Sequence, residues 1–323
     1  MYKPIQWIAL TYLAAVLLPA APLSSFAQTN LVSSVSGLAL VTDANLINPW
    51  GISSSATSPF WISDNGTGVS TLYNTAGTKL ALTVTIPAVG GGTGTPTGQV
   101  FNGTSGAFNS DTFLFATEQG SIAGWRGALG TSAEILFDNS GVGASYKGLA
   151  IGTNGATPTL YAANFASGAI DTFTDGGPLP SGGFTDPNLP SGFAPFNIQN
   201  LGGTLYVTYA KVGLGSDDEA GPGNGFVDTF DLNGNFLSRV VSAGALNSPW
   251  GLAIAPAGFG NLGDMLLVGN FGDGAINAFT LAGTLVGTLA DIGGTPLSNS
   301  GLWGLKFGNG GNGGLATSLY LTS

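Results

Sequence analysis

The 323-residue chain contains no cysteine and no histidine, and seven lysines and arginines against seventeen aspartates and glutamates leave it at −10. Without cysteine there are no disulfides, thiolate metal sites or thiol redox chemistry. Without histidine there is no Ser-His-Asp hydrolysis and no imidazole acid–base catalysis. The acidic balance excludes nucleic acid as a partner and disfavours an anionic membrane surface, because both need a basic patch.

Residues 1–4 carry one lysine, Lys3, and a largely apolar run follows over residues 5–23. Ser25-Phe26-Ala27 offers the small residues a signal peptidase accepts. Residues 1–27 therefore read as a signal peptide and residues 28–323 as the mature domain, secreted to a periplasmic or extracellular space. Pro19 and Pro22 interrupt the end of the run, which speaks against a membrane anchor. No later stretch reaches the ~20 apolar residues of a spanning helix, so no membrane insertion is expected after cleavage. Charged residues make up 7% of the chain, against about 25% in ordinary domains. The 54 glycines and the uncharged polar side chains must then cover the surface.

The chain repeats itself. Asn48-Pro49-Trp50-Gly51-Ile52 recurs as Ser248-Pro249-Trp250-Gly251-Leu252 and as Gly301-Leu302-Trp303-Gly304-Leu305. Weaker copies fall at a period of about fifty residues: Pro96-Thr97-Gly98-Gln99-Val100, Tyr146-Lys147-Gly148-Leu149-Ala150 and Ala194-Pro195-Phe196-Asn197-Ile198. Each copy is followed by a second β-rich run, such as Phe60-Trp61-Ile62-Ser63-Asp64 or Leu160-Tyr161-Ala162-Ala163-Asn164. Several units add a third run (Ile170-Asp171-Thr172-Phe173) and a fourth (Phe236-Leu237-Ser238-Arg239-Val240-Val241). No unit sustains a helical apolar period, and glycine intrudes every few residues. Four antiparallel strands per unit and six units predict an all-β, six-bladed β-propeller of four-stranded antiparallel blades. The sixth unit reaches Ser323 after its second strand, so residues 30–35 are expected to close the ring as an N-terminal outer strand of that blade.

These motifs, together with Asp64-Asn65-Gly66-Thr67-Gly68, Gly192-Phe193-Ala194-Pro195-Phe196-Asn197-Ile198-Gln199-Asn200 and Gly221-Pro222-Gly223-Asn224-Gly225-Phe226-Val227-Asp228, resemble an uncharacterised family of exported bacterial propeller proteins. Some members carry a C-terminal sorting tail, and the units are more loosely similar to NHL repeats. The resemblance covers about residues 30–323 and implies fold and export, but no activity. The sequence departs from the family pattern at its C-terminus, where the last strand and the tail are missing.

Strand alternation places Trp50, Trp250 and Trp303 on the same face as Asp64, Asn65, Glu118, Asn164 and Asn270. The tryptophans, as stacking platforms for a sugar, and Asn65 are candidate ligand contacts; for the tryptophans, packing between neighbouring blades is the competing explanation. Asp64, Glu118, Asn164 and Asn270 are candidate oxygen ligands for calcium, the one cofactor the residue types suggest. Turn capping by Asp and Asn accounts for most of the same positions. Ser216-Asp217-Asp218-Glu219, in a Gly-rich insertion over residues 213–225, is expected on that face too. Two functions follow. A monomeric, non-enzymatic module would bind a protein, glycan or small molecule at this face or in the central channel. A calcium-dependent, lactonase-like hydrolase or lyase is the alternative. The missing histidine favours the first.

Overall fold

The computed structural model describes residues 25–180, 182–215 and 217–323. Most of the expected signal peptide lies outside the described residues. Within them, every helical element is a single three-residue turn, and no helix is long and apolar enough to cross a membrane.

Five four-stranded antiparallel meanders follow one another. Blade one runs Pro49–Ser53, Phe60–Asp64, Val69–Tyr73, Lys79–Thr85. Blade two is Pro96–Phe101, Phe113–Thr117, Ser121–Trp125, Glu134–Asp138, and blade three is Tyr146–Asn154, Thr157–Asn164, Ala169–Thr174, Gly177–Pro178. Blade four is Phe193–Leu201, Thr204–Lys211, Gly225–Phe230, Phe236–Ser242, and blade five is Pro249–Ile254, Leu266–Asn270, Ile276–Phe279, Leu285–Thr288. Each inner strand touches the next around a closed ring.

The expected six blades are corrected to five. The last unit contributes only Leu305–Phe307 and Leu319–Leu321, a two-stranded sheet wedged between blades five and one. Its residues between these strands go into a Gly-rich turn network (Asn309 N–H to Gly313 O, Gly310 N–H to Gly314 O) rather than further strands. The expected N-terminal closing strand is also corrected. Val32–Ser33 pairs in parallel with Val41–Thr42 and not with the two-stranded sheet. Val32 instead packs against Phe60, Ile62 and Tyr73 of blade one. Phe26, inside the expected signal peptide, donates its N–H to Ala290 O and stacks on Phe259 at 4.7 Å, contacts that cleavage after Ala27 would remove.

Blade sheets are covered on both faces, so their strands read as apolar runs rather than as alternating patterns: Phe113–Thr117 is FLFAT and wholly buried. Apolar clusters fill the gaps between neighbours, for example Leu114, Leu149, Leu160 and Phe173 between blades two and three. Another holds Leu262, Leu267, Leu302 and Leu305 between blade five and the two-stranded sheet. At ~1.5–3 kcal/mol per buried large side chain, these interfaces supply much of the fold's stability in a chain without disulfides.

The repeated Pro-Trp-Gly has a steric cause. A register shift follows Pro49 and Pro249 in their pairing with the second strand, and such a bulge re-aims the next side chain. The glycine is needed because the next inner strand comes close. A Cβ on Gly51 would sit 2.5 Å from Thr97 O, and one on Gly251 2.6 Å from Trp303 O. In blade four, Asn197 holds this place, and its Nδ2 donates to Trp250 O at 2.7 Å.

Candidate functional site

Trp50, Thr97, Lys147, Phe196 and Trp250 fall at the register shifts of the first five inner strands, and Trp303, two residues before the sixth, holds the equivalent place in its repeat. The aromatic ones form a single buried cluster with Phe165 and Phe271 at the propeller axis. Trp50 stacks on Trp303 at 3.5 Å and 17°, and Phe271 stacks on the same ring at 4.1 Å. Trp250 meets both tryptophans edge-on, at 6.1 and 5.9 Å. Exposures of 4%, 2% and 4% for Trp50, Trp250 and Trp303 leave their faces to one another. Trp303 thus meets the tryptophans of both neighbouring repeats, and Trp50 and Trp250 meet each other past it.

Hydrogen bonds tie this plug to the strands. Trp250 Nε1 donates to Lys147 O at 3.0 Å, Trp303 Nε1 to Asn48 Oδ1 at 3.1 Å, and Thr97 Oγ1 to Tyr146 O at 2.7 Å. Lys147 is only 2% exposed. Its Nζ lies 5.4 Å from the centroid of the Trp50 ring and donates to Glu118 Oε1 at 2.5 Å. Glu118 Oε2 accepts from Asn65 Nδ2 at 2.9 Å, and Asn65 Oδ1 accepts from Asn48 Nδ2 at 3.1 Å. Asp217, from the acidic insertion, comes within 3.7 Å of Lys147 Nζ, which puts that loop over this end of the axis as expected. Its neighbour Glu219 instead accepts from Lys211 Nζ at 2.6 Å, so the acids of the loop face different cations.

The four calcium candidates do not occupy equivalent places. Asp64 pairs with Pro49, Asn164 with Tyr146 and Asn270 with Pro249, but Thr117, not Glu118, is opposite Pro96. Glu118 is one residue further on, and alternation turns it toward the axis. The other three stay in their blades. Asp64 Oδ2 accepts from Thr71 Oγ1 at 2.7 Å, Asn164 Nδ2 donates to Asp171 Oδ2 at 2.9 Å, and Asn270 Nδ2 donates to Ala245 O at 2.8 Å. Each also caps a hairpin by its own carbonyl, which accepts from Gly68, Gly168 and Gly274 N–H respectively. Burial raises the Asp64 carboxyl well above the usual range. Among the described residues no three acidic side chains gather where a metal ion would sit.

The opposite end of the axis is open. Three residues beyond the plug, about 10 Å along each strand, the inner strands frame a cavity of about 410 Å³. All six contribute, among them Ser53, Val100, Ala150, Gln199, Ala253 and Lys306. Comparing repeats finds the plug readily but gives no hint of this funnel, whose six positions share no chemistry.

A further polar group lies outside both ends. In blade four, Arg239 bridges Asp186 and Asp228, with Nε 3.3 Å from Asp228 Oδ1, and covers the Phe226 ring at 4.8 Å. Burial, with Asp186 nearby, pushes the Asp228 carboxyl up to about 7 despite Arg239, and burial pushes Asp111 up to about 6. A raised carboxyl holds its proton more tightly in the folded state, so stability falls as pH rises from about 4 to about 7. The unfolding temperature should therefore be higher at pH 5 than at pH 8 by about 5 °C or more. Asp228→Asn should remove much of that slope. A melting profile flat across this range would contradict the assignment.

No protein-family model matches the chain. In fold it is similar to the virginiamycin B lyase of Staphylococcus aureus, at 14% identity over 85% of this chain and 77% of that one, with a TM-score of 0.55. In sequence it is 34% identical over 296 residues to the uncharacterised protein L690 of Acanthamoeba polyphaga mimivirus, covering 85% of this chain and 77% of the relative. The uncharacterised protein R648 of the same virus is 34% identical over 293 residues, covering 85% of this chain and 72% of the relative. The expected bacterial family is thereby corrected: these relatives are viral. The chain belongs to the family of the mimivirus proteins L690 and R648.

Proposed function

We propose that the chain is an exported binding propeller whose ligand seat is the open end of its axis. One observation carries this reading. A cavity framed by all six inner strands is walled by Ser53, Ser54 and Gln99, each with a side-chain oxygen that has no hydrogen-bond partner. Buried polar atoms are ordinarily satisfied, and unpartnered oxygens in the wall of a cavity suit a ligand. Its volume falls in the range of small-molecule sites. The other end is occupied by the aromatic plug and the Lys147–Glu118 pair. The apolar run over residues 5–23 supports export.

Stabilisation by ligand tests the seat. Gln199 lines the cavity and is half-buried, so Gln199→Trp can fill the funnel without disturbing the plug. Small polar ligands that raise the wild-type melting temperature should fail to raise that of Gln199→Trp. Equal stabilisation of both proteins, or none by any ligand of a broad polar set, would defeat the reading.

A calcium-dependent hydrolase or lyase is the second reading, supported by unpartnered Asp64 Oδ1 and Asn270 Oδ1 at the plugged end. It requires millimolar calcium to raise the melting temperature, and an unchanged melt would remove it. The binding reading expects no shift.

A further inference from the structure

The funnel carries one charge. Lys306 lies three residues beyond Trp303, on the two-stranded sheet, and none of the other lining residues is ionisable. Its ammonium has no ion pair or side-chain hydrogen bond among the described residues. In a chain at −10, the one cation of the funnel lining has thus been left without a counter-ion among the described residues. Burying an unpaired ammonium is costly, and an anion beside it would remove that cost.

The uncharged groups narrow the ligand further. Ser53 is 6% exposed and Gln99 6%. Gln99 Nε2 donates to Gly51 O at 2.8 Å and to Trp61 O at 2.5 Å, which fixes the amide so that Oε1 is the free atom. Oε1 can only accept. Ser53 and Ser54 Oγ are also unpartnered, and each hydroxyl can donate. A seat with one cation, two hydroxyl donors and one obligate acceptor matches a molecule bearing both a carboxylate and a hydroxyl.

We propose that the open end of the axis binds a small hydroxycarboxylate, its carboxylate against Lys306 and the Ser53 and Ser54 hydroxyls and its own hydroxyl donating to Gln99 Oε1. The proposal rests on the binding reading above and names the ligand class. Burial lowers the Lys306 ammonium from its ordinary value, the direction expected where a counter-ion has yet to arrive.

Calorimetric titration of the folded chain with D-galacturonate, its methyl ester and D-galactose tests it. Galacturonate should bind saturably, the ester and galactose at least roughly tenfold more weakly. Lys306→Met should bring galacturonate down to the level of the ester. That variant should fold, because it removes an unpaired charge rather than a contact. Ser53→Ala should weaken galacturonate several-fold while leaving the melting temperature close to wild type. Galactose binding as well as galacturonate, equally in wild type and Lys306→Met, would overturn the anion assignment and leave the seat standing. Binding of none of the three would overturn the assignment, and failure of the wider ligand set as well would overturn the seat.

Discussion

Trp303→Ala should cost about 3–5 kcal/mol of unfolding free energy, at the upper end of what loss of a buried aromatic brings. Its ring is stacked between Trp50 at 3.5 Å and Phe271 at 4.1 Å and is met edge-on by Trp250 at 5.9 Å, so one truncation strips partners from three others. The hole cannot easily close. The inner strands around it are held by Thr322 Oγ1 to Trp50 O at 2.6 Å and Asn197 Nδ2 to Trp250 O at 2.7 Å. Asn48 Oδ1 also loses its donor, Trp303 Nε1. Trp303→Phe keeps one stacking face and should cost roughly half as much. Urea unfolding reads both. A loss below about 1 kcal/mol for Trp303→Ala would mean that the three tryptophans are not a core, and would restore their reading as a platform for a sugar.

Glu118→Gln should be almost as damaging, about 3–5 kcal/mol, because it leaves the Lys147 charge buried without its partner. Asp217 is 3.7 Å from that ammonium, but on a side chain 82% exposed, and Asp218 feels the charge without forming an ion pair with it. The Trp50 face can offset part of the loss, on the order of 1 kcal/mol. Lys147→Met should cost less, because Glu118 is 28% exposed and keeps its bond from Asn65. The double variant should be more stable than Glu118→Gln alone, a coupling of at least about 2 kcal/mol in a double-mutant cycle. Additive losses would show that the two charges do not depend on each other. The calcium reading predicts differently: there, Glu118→Gln would abolish a calcium-induced rise in melting temperature whether or not Lys147 is present.

The Pro-Trp-Gly repeat was legible because sterics require it. The glycine must admit the next inner strand, and the bulge before it recurs with the same short motif. Counting those motifs counts inner strands, of which there are six. It does not count complete blades, because the Gly-rich stretch after Phe307 looks no different in sequence from the turns elsewhere. The tryptophans' identical places pointed to packing, but the direction of that packing depends on the bulge, a backbone feature that the motif does not spell out. Glu118 was grouped with Asp64, Asn164 and Asn270 by its distance from a β-rich run. A one-residue offset in a structure of period two sends it to the axis instead. Lys147 was readable by aligning Tyr146-Lys147-Gly148 on Pro49-Trp50-Gly51, which puts an ammonium where the other repeats place indoles. Lys306 was not, because Ser, Val, Ala, Gln, Ala and Lys at the funnel positions share no pattern to align.

An axis closed at one end and open at the other is the central claim, and the absence of cysteine makes it directly measurable. Single cysteines placed at Thr97, in the plug and 0% exposed, and at Gln199, in the funnel wall, can each be followed by reaction with a small uncharged thiol reagent in the native state. Gln199→Cys should react at a rate approaching that of the unfolded chain, while Thr97→Cys should be protected by at least about a hundredfold, reacting only through opening of the fold. Similar native rates at the two positions, or faster reaction at Thr97→Cys, would contradict it.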